Sequence, residues 1–450
     1  MGVAQSPTGA APVSCRLCGK PVTPDGLGLL ECPCGWGGPG DPLETSRGLS
    51  RVFLWTGRRL ANAQAQRELR RLKDRGDAAS RLSGVYEFTI ALVSSLIYAL
   101  LFGALAWIIW FTIELVQAHS WVGATLLGLV ALALLDSLFG QTRRPKGLEM
   151  PLDRLPALAA VVDGMSAHIG SPRPQFVVLV PDARFFVYQR HPIKRFFRRE
   201  LVLGVGVAGL TVLNDQEVQA ILAHELAHFA YGHTALTLYT GRALASTRHL
   251  IDLALGGVQS MDRYHRMRGR YYSAGIGSGT ALAGTFISWT VLLPFRCLWT
   301  CLHLLRLRLS RTAEYAADMA AARLFGAPLF VSAEINIHMI ARTLRGARQS
   351  LFAELRRDKH SNFYEVLRRH YAGLPPAAIE QMRRQAITDF RSLESTHPIL
   401  PDRLRAAYIV GGMHPVAPPT PTRAGTVYLI PKDAASAEEM EKAVTKLMFV

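Results

Sequence analysis

Two histidines and a glutamate lie in one short stretch, Ala223 to His228, at a spacing that suits a metal ion. On a helix, His224 and His228 would share one face about 6 Å apart, so both imidazoles could bind one cation. Glu225 would lie beside that face, where its carboxylate could take a proton from a water on the metal. Zinc suits this set because it accepts imidazole and carboxylate ligands and keeps one position for water. A surface helix with an accidental match is the alternative.

The residues around this stretch predict the helix that would present it, from Asp215 to Gly232. Asn214 or Asp215 can cap the first turn through a side-chain oxygen. Apolar residues then recur at helical spacing, namely Val218, Ile221, Leu222 and Phe229. A zinc site of this kind still needs a third protein ligand, which must come from elsewhere in the chain.

A second helical stretch, Ser310 to Asp318, carries two carboxylates. Glu314 and Asp318 are four residues apart and would project from one face. This spacing fits one metal ligand together with one hydrogen-bond partner for a ligating histidine. A solvated acidic pair would show the same spacing.

Together the two stretches resemble the HtpX-type and CAAX-prenyl-protease family of membrane zinc endopeptidases. The matching residues are His224, Glu225 and His228, followed by Glu314-Tyr315-x-x-Asp318. The resemblance covers roughly Leu152 to Tyr408, and it implies that Glu314 is the third zinc ligand. Thr396-His397-Pro398 with Asp402-Arg403 resembles a further element of that family near the active site. His397 could steady a developing oxyanion or cover the zinc, although a loop histidine can equally be structural.

Four cysteines near the amino terminus form two close pairs, Cys15 with Cys18 and Cys32 with Cys34. Two pairs around a short glycine-bearing stretch supply four thiolates for a tetrahedral zinc ion. The second pair has one intervening residue where ribbons usually have two. Two disulfides are the alternative, but no export signal precedes the cysteines, which favours a structural zinc site.

The composition indicates a membrane protein with a basic surface. Of 450 residues, 49% are hydrophobic and 19% are charged, and the formal net charge is +17. The positive charge favours contact with anionic lipid. Nucleic acid is disfavoured as a partner because the arginines flank apolar segments and no nucleic-acid-binding motif accompanies them.

Two apolar segments predict a transmembrane hairpin. Phe88 to Ile113 contains no charged residue, and Trp121 to Phe139 contains only Asp136. Basic residues before the first and after the second segment place both flanks in the cytoplasm. A pair of buried core helices is the alternative. Between the two zinc motifs, the family resemblance favours two further spans, whereas the charge distribution favours none, so both two and four spans remain open.

Valine-rich and aromatic stretches predict three strands: Phe176 to Val180, Arg184 to Tyr188 and Leu201 to Ala208. Metalloproteases usually bind substrate along an exposed strand edge, and Arg184 to Tyr188 is our candidate for it. An amphipathic helix is predicted from Leu152 to Ile169.

We therefore predict a chain that is mainly α with a small β-sheet, an α+β zincin-type catalytic domain, transmembrane helices and a small amino-terminal zinc ribbon. The predicted domains are 1–46, ribbon and linker; 51–85, basic juxtamembrane helix; 86–140, transmembrane hairpin; 150–410, metallopeptidase with a membrane-associated insertion at 234–305; and 411–450, proline-rich linker and tail.

The expected activity is zinc-dependent hydrolysis of peptide bonds in membrane, membrane-proximal or misfolded proteins, for quality control or processing. One zinc ion would be catalytic and a second structural. We expect a multi-pass protein of the plasma or inner membrane whose active site faces the cytoplasm. A CAAX-type prenyl-protein processing protease and a non-catalytic, zinc-stabilised membrane scaffold are the alternatives.

Overall fold

A computed structural model provides the structure of the chain. It describes residues 12–23, 32–34, 36, 38, 41–75, 84–139, 146–190, 200–231, 236, 239–251, 277–355, 363–387 and 397–411. The predicted tail, 411–450, falls almost wholly outside the described residues. The described chain is mainly helical with small sheets, as the sequence predicts.

The strands are β1 (Val13–Ser14), β2 (Pro21–Val22), β3 (Leu148–Pro151), β4 (Phe176–Val180), β5 (Phe186–Arg190) and β6 (Glu200–Gly206). The first helices are α1 (Pro42–Thr45), α2 (Gly48–Arg75), α3 (Gly84–Gln117), α4 (Trp121–Phe139), α5 (Pro156–Ile169), α6 (Val207–Val212) and α7 (Asp215–Ala230). The later helices are α8 (Gly277–Phe325), α9 (Ala327–Leu355), α10 (Phe363–Ala372), α11 (Pro376–Ile387) and α12 (Leu400–Gly411). Residues 239–251 are also helical.

Contacts divide the chain into two compact units. The first comprises Met1–Arg81, Pro145–Thr234 and Ser310–Val450, and the second comprises Leu82–Arg144 and Ala235–Leu309. The first contains both zinc motifs and the four paired cysteines, and the second contains α3 and α4. The finer division into domains given above stays a prediction.

Four strands of the first unit form one sheet in the order β3-β4-β6-β5. The central strands β4 and β6 are parallel, whereas β3 and β5 are antiparallel edge strands. Almost every residue of the two central strands is buried, which explains their nearly continuous valine and leucine. The helices α5, α6 and α7 contribute to the core that these strands share.

Two predicted strands differ from the structure in their bounds: β5 lies two residues later than predicted, and β6 extends over Glu200–Gly206 rather than Leu201 to Ala208. The strand β5 begins at Phe186 rather than Arg184, because the Asp182 carboxylate accepts a hydrogen bond from the Arg184 amide at 3.0 Å and holds a turn there. The strand β6 ends at Gly206. The backbone of Ala183 lies so close to this residue that a Cβ atom would be 2.5 Å from the Ala183 carbonyl carbon, so only glycine fits there. The helix α6 follows it directly, so Val207 and Ala208 are helical.

The predicted helix from Leu152 to Ile169 is divided near its start. Leu152–Arg154 form a 3₁₀ turn, and α5 begins at Pro156. Proline suits a first helical position, and it disfavours helical geometry at the residue before it, here Leu155. The helix ends before Gly170, whose φ of +72° is typical of a helix-terminating glycine.

The second unit contains both predicted apolar segments as helices. In the described part of the chain, α3 is the one helix long and apolar enough to cross a membrane, and α4 includes a shorter apolar stretch, Trp121–Asp136. Ile97 and Leu101 of α3 belong to the same buried cluster as Leu134 and Leu138 of α4. Residues 252–276 lie outside the described part, so the number of spans stays open.

Candidate active site

The helices α7 and α8 bring together His224, His228 and Glu314, whose ligand atoms all lie within 4.8 Å of one another. His224 Nε2 is 3.7 Å from Glu314 Oε2, and His228 Nε2 is 3.8 Å from Glu314 Oε1. Tetrahedral zinc with bonds of about 2.0–2.2 Å separates its ligand atoms by about 3.3–3.6 Å. Small movements of these side chains would therefore bring the ligand atoms to the separations that zinc requires, so the donor set fits zinc.

A capping box fixes the start of α7. The Asn214 side chain accepts a hydrogen bond from the Glu217 amide at 2.9 Å, and the Glu217 carboxylate accepts one from the Asn214 amide at 3.1 Å. The same carboxylate accepts hydrogen bonds from Ser332 and Asn336 of α9, at 2.8 and 2.7 Å. These hydrogen bonds to the buried Glu217 side chain anchor the first turn of α7 to α9, two helical turns before the first histidine.

Alanine side chains allow α7 and α8 to approach closely. Ala223 and Ala227 of α7 are fully buried, and so are Ala317 and Ala321 of α8. Ala227 packs with Ala317, and Ala223 belongs to the same cluster as Ala321. A larger side chain at these positions would force the helices apart and leave the carboxylate of Glu314 out of reach of the histidines.

Asp318 lies one turn beyond Glu314 and faces the other nitrogen of His224. Its Oδ1 atom is 3.0 Å from His224 Nδ1, and the side chain is completely buried. Burial lowers the pKa of His224, but the Asp318 carboxylate outweighs burial and raises that pKa to about 9. This placement directs Nε2 of the imidazole toward Glu314, which is the arrangement expected for a carboxylate that orients a ligating histidine.

Glu225 has the ionisation behaviour expected of a catalytic base. Burial raises the pKa of its carboxyl to about 7, an effect that the nearby Glu314 charge reinforces and His224 opposes. A carboxylate whose pKa lies near neutral pH can both accept and return a proton.

His397 hydrogen-bonds to Glu314. Its Nδ1 atom lies 2.9 Å from Glu314 Oε1, while most of its side chain is exposed to solvent. Burial opposes ionisation of Glu314, but this hydrogen bond and the Arg403 charge hold its pKa well below the usual range. Glu314 is therefore a carboxylate at neutral pH.

Arg403 and Glu334 complete the site, and the second was not predicted from the sequence. Arg403 Nη2 donates to Asp318 at 2.6 Å and to Glu334 at 3.0 Å, and lies 3.5 Å from His224 Nε2. His224, Asp318 and Glu334 are also close enough to hold a metal ion. Because the Arg403 guanidinium already bonds both carboxylates, we assign this group to a buried ion network. The sequence contained one signal for Glu334: it is a single acidic residue among the mostly apolar residues of the first turns of α9.

Arg403→Ala is expected to destabilise the protein strongly. It leaves Asp318 and Glu334 buried without their cation, a change that typically costs about 3–5 kcal/mol. Arg383→Ala is the control, because Arg383 pairs with Glu380 at 2.7 Å on the exposed surface of α11, where such pairs contribute about 0–1 kcal/mol. Thermal unfolding in detergent should show a much larger loss for Arg403→Ala. Equal losses in the two variants would contradict the buried network.

The four amino-terminal cysteines also converge. Cys15 Sγ lies 3.5 Å from Cys34 Sγ, Cys18 Sγ lies 3.5 Å from Cys32 Sγ, and all four sulfurs are within 4.8 Å of one another. All four are free thiols, which is contrary to the disulfide alternative. Tetrahedral zinc with Zn–S bonds of about 2.3 Å separates its sulfurs by about 3.8 Å, so this donor set also fits zinc.

Two histidines and a glutamate on one helix, with a carboxylate from a second helix, define the class of HExxH metallopeptidases. Residues 156–408 match the family described as "Peptidase family M48". This match covers more than half of the chain, and the chain belongs to peptidase family M48. The HtpX-type resemblance stated above is confirmed.

Individual relatives agree with this assignment. A "Protease HtpX homolog" of Pyrobaculum calidifontis is 25% identical over 284 residues, which cover 62% of this chain and 76% of the relative. A protein of the same name from Archaeoglobus fulgidus is 24% identical over 333 residues, covering 73% and 88%. The crystal structure of S. mikatae Ste24p aligns with 80% of this chain over 77% of its own chain, at 14% sequence identity and with a TM-score of 0.28. The chain is a membrane-associated metalloprotease.

Proposed function

We propose that this metalloprotease is a zinc-dependent endopeptidase in which His224, His228 and Glu314 hold the catalytic zinc. The convergence of their three ligand atoms within 4.8 Å is the observation on which the proposal rests. When bound, zinc polarises the scissile carbonyl and lowers the pKa of a water toward neutrality. The remaining steps belong to side chains of this chain.

Glu225 is the proposed general base and acid. It takes a proton from the attacking water and returns it to the leaving amine, a cycle that its pKa of about 7 supports. Asp318 holds His224 in the orientation that directs Nε2 into the site. His397, bonded to Glu314 and open to solvent, is the candidate donor to the oxygen that becomes negatively charged.

The strand β5 is the proposed substrate edge. Among the strands that the structure describes, it pairs with β6 alone, and it lies beside α7, the helix that carries both histidines. An extended substrate could add to this edge through its own backbone hydrogen bonds. The predicted strand was displaced by two residues, so the proposed edge is Phe186–Arg190 rather than Arg184 to Tyr188.

The proposed substrates are membrane, membrane-proximal or misfolded proteins, and the proposed location is a multi-pass position in the plasma or inner membrane with the site in the cytoplasm. The apolar helix α3 and the basic flanks of the hairpin support this proposal. Purified protein in liposomes should cleave an unprenylated membrane protein that carries an unfolded cytoplasmic segment. Cleavage restricted to prenylated peptides would instead assign the CAAX-type activity.

The cysteines Cys15, Cys18, Cys32 and Cys34 are proposed to hold a second, structural zinc ion. The double substitution Cys15→Ser with Cys18→Ser should lower bound zinc from about two ions to about one per chain, because two thiolates no longer complete a tetrahedral site. Cleavage of a short soluble peptide should largely survive. Cys297→Ser with Cys301→Ser removes two exposed thiols of α8 and is the control. Unchanged zinc content in the first variant would refute the ribbon site.

A further inference from the structure

The helix α2 has two faces of opposite character. Its buried face includes Ala61, Ala65 and Leu72, and Leu72 packs in one cluster with Tyr315 and Met319 of α8. Near its start, the buried Arg58 pairs with Asp41 at 3.5 Å. These contacts fix which side of α2 remains outside.

The outer side, here called the basic face of α2, combines apolar and cationic residues. It consists of Val52, Trp55, Arg59, Leu60, Arg67, Arg70 and Arg71, all of which are exposed. The exposed fractions are 54% for Val52, 37% for Trp55 and 61% for Leu60. Successive members are one, three, four or seven positions apart, and at 3.6 residues per turn these spacings place all of them on one broad side of the helix. The Arg59 guanidinium lies over the Trp55 ring, 4.7 Å from its centroid.

The charge of this face is not neutralised locally. Within the part of the chain that the structure describes, Arg59, Arg67, Arg70 and Arg71 form no ion pair with an acidic residue. Glu68 and Asp74 are the two acidic residues of α2, and the Glu68 side chain accepts a hydrogen bond from Gln64 at 2.9 Å. A partner of negative charge would therefore be attracted to the whole length of the helix.

We propose that the basic face of α2 binds the anionic headgroups of a lipid surface. Exposed tryptophan, leucine and valine beside arginines are the composition of a helix that lies in a membrane interface. In the sequence, only eight residues, 76–83, separate α2 from α3, the helix that is long and apolar enough to cross a membrane. The exposed apolar side chains and this short connection favour a lipid surface. Nucleic acid is less well matched, because its phosphates would be bound by the arginines alone and would leave the apolar side chains without a role.

A fluorescent amino acid at Ala63 would report this contact, because Ala63 is exposed between Arg59 and Arg67 on the same face. The full chain, carrying Glu225→Gln to prevent self-cleavage, is placed in lipid nanodiscs that contain a headgroup-proximal quencher. We expect quenching in nanodiscs that contain phosphatidylglycerol and its loss at high salt. Each arginine near an anionic surface contributes about fivefold to the surface equilibrium, so changing Arg59, Arg67, Arg70 and Arg71 to glutamine should weaken it by roughly a hundredfold or more.

A matched control removes the same number of charges elsewhere. Changing the exposed Arg368, Arg369, Arg383 and Arg384 of α10 and α11 to glutamine should leave quenching unchanged. Absence of quenching with phosphatidylglycerol would overturn the proposal. Quenching that is as strong in pure phosphatidylcholine, or in the variant that lacks the four arginines of α2, as it is in the unchanged basic face with phosphatidylglycerol would also overturn it. A probe response to a short oligonucleotide but not to phosphatidylglycerol would assign the face to nucleic acid instead. None of these results depends on peptidase activity, so the proposed function is tested separately.

Discussion

Replacing Glu225 by glutamine is expected to remove nearly all peptide cleavage while the protein keeps its fold and its zinc. Glutamine has almost the same shape but cannot accept a proton, and loss of a positioned acid-base group typically lowers the rate by about 10²–10⁴-fold. Glu225 is not among the three proposed ligand residues, so metal content should not change. The comparison is the rate of cleavage and the zinc content of purified wild type and variant.

Glu380→Gln is the matched control for this substitution. Glu380 lies on the exposed surface of α11, where it pairs with Arg383 and Arg384, so its change should affect neither rate nor zinc. Full cleavage by the Glu225 variant would remove the proposed base and leave the mechanism without a proton acceptor.

Glu314→Ala is expected to abolish cleavage and also to lower zinc occupancy, which separates it from the Glu225 variant. Alanine removes the one charged side chain of the proposed ligand set, and two imidazoles alone would hold zinc more weakly. Asp318→Asn should be milder, with a loss of roughly ten- to a hundredfold, because a partner that orients a ligand does not itself bond the ion. Zinc per chain after gel filtration and the cleavage rate are the two measurements.

The contrast between these two variants tests the assignment of the ligand. Asp318 is itself close to His224 and Glu334 in an arrangement that could hold a metal ion. Full zinc content in Glu314→Ala with loss of zinc in Asp318→Asn would show that Asp318, and not Glu314, binds the metal.

The parts of the site that the sequence predicts best are those governed by local rules. The helix α7 follows from helical periodicity and from a side-chain cap at Asn214 or Asp215, both of which involve residues close in sequence. The structure shows that Asn214 is the cap and that it forms a capping box with Glu217. His224 and Glu314 are 90 positions apart in the sequence, and their pairing was predicted only through the resemblance to a family. The structure then places the two side chains 3.7 Å apart.

The error at β5 has a local cause, whereas the omission of Glu334 has its cause in a distant segment. The strand β5 begins late because a side chain at Asp182 competes for the backbone, which valine and aromatic content does not reveal. Glu334 was missed because its partner Arg403 comes from a helix 69 positions later. A buried carboxylate in an apolar helix shows only that some cation must lie opposite, without showing which one.

The central claim is that the cluster of His224, His228 and Glu314 performs zinc-dependent peptide hydrolysis, and zinc reconstitution tests it most directly. The Cys15→Ser, Cys18→Ser variant is stripped with a chelator and titrated with zinc while cleavage of a soluble peptide is followed. The account predicts that activity disappears on stripping and returns in proportion to added zinc, saturating at about one ion per chain. The same titration with Glu314→Ala added should restore no activity. Cleavage that persists undiminished after zinc is removed, or that returns equally without Glu314, would contradict it.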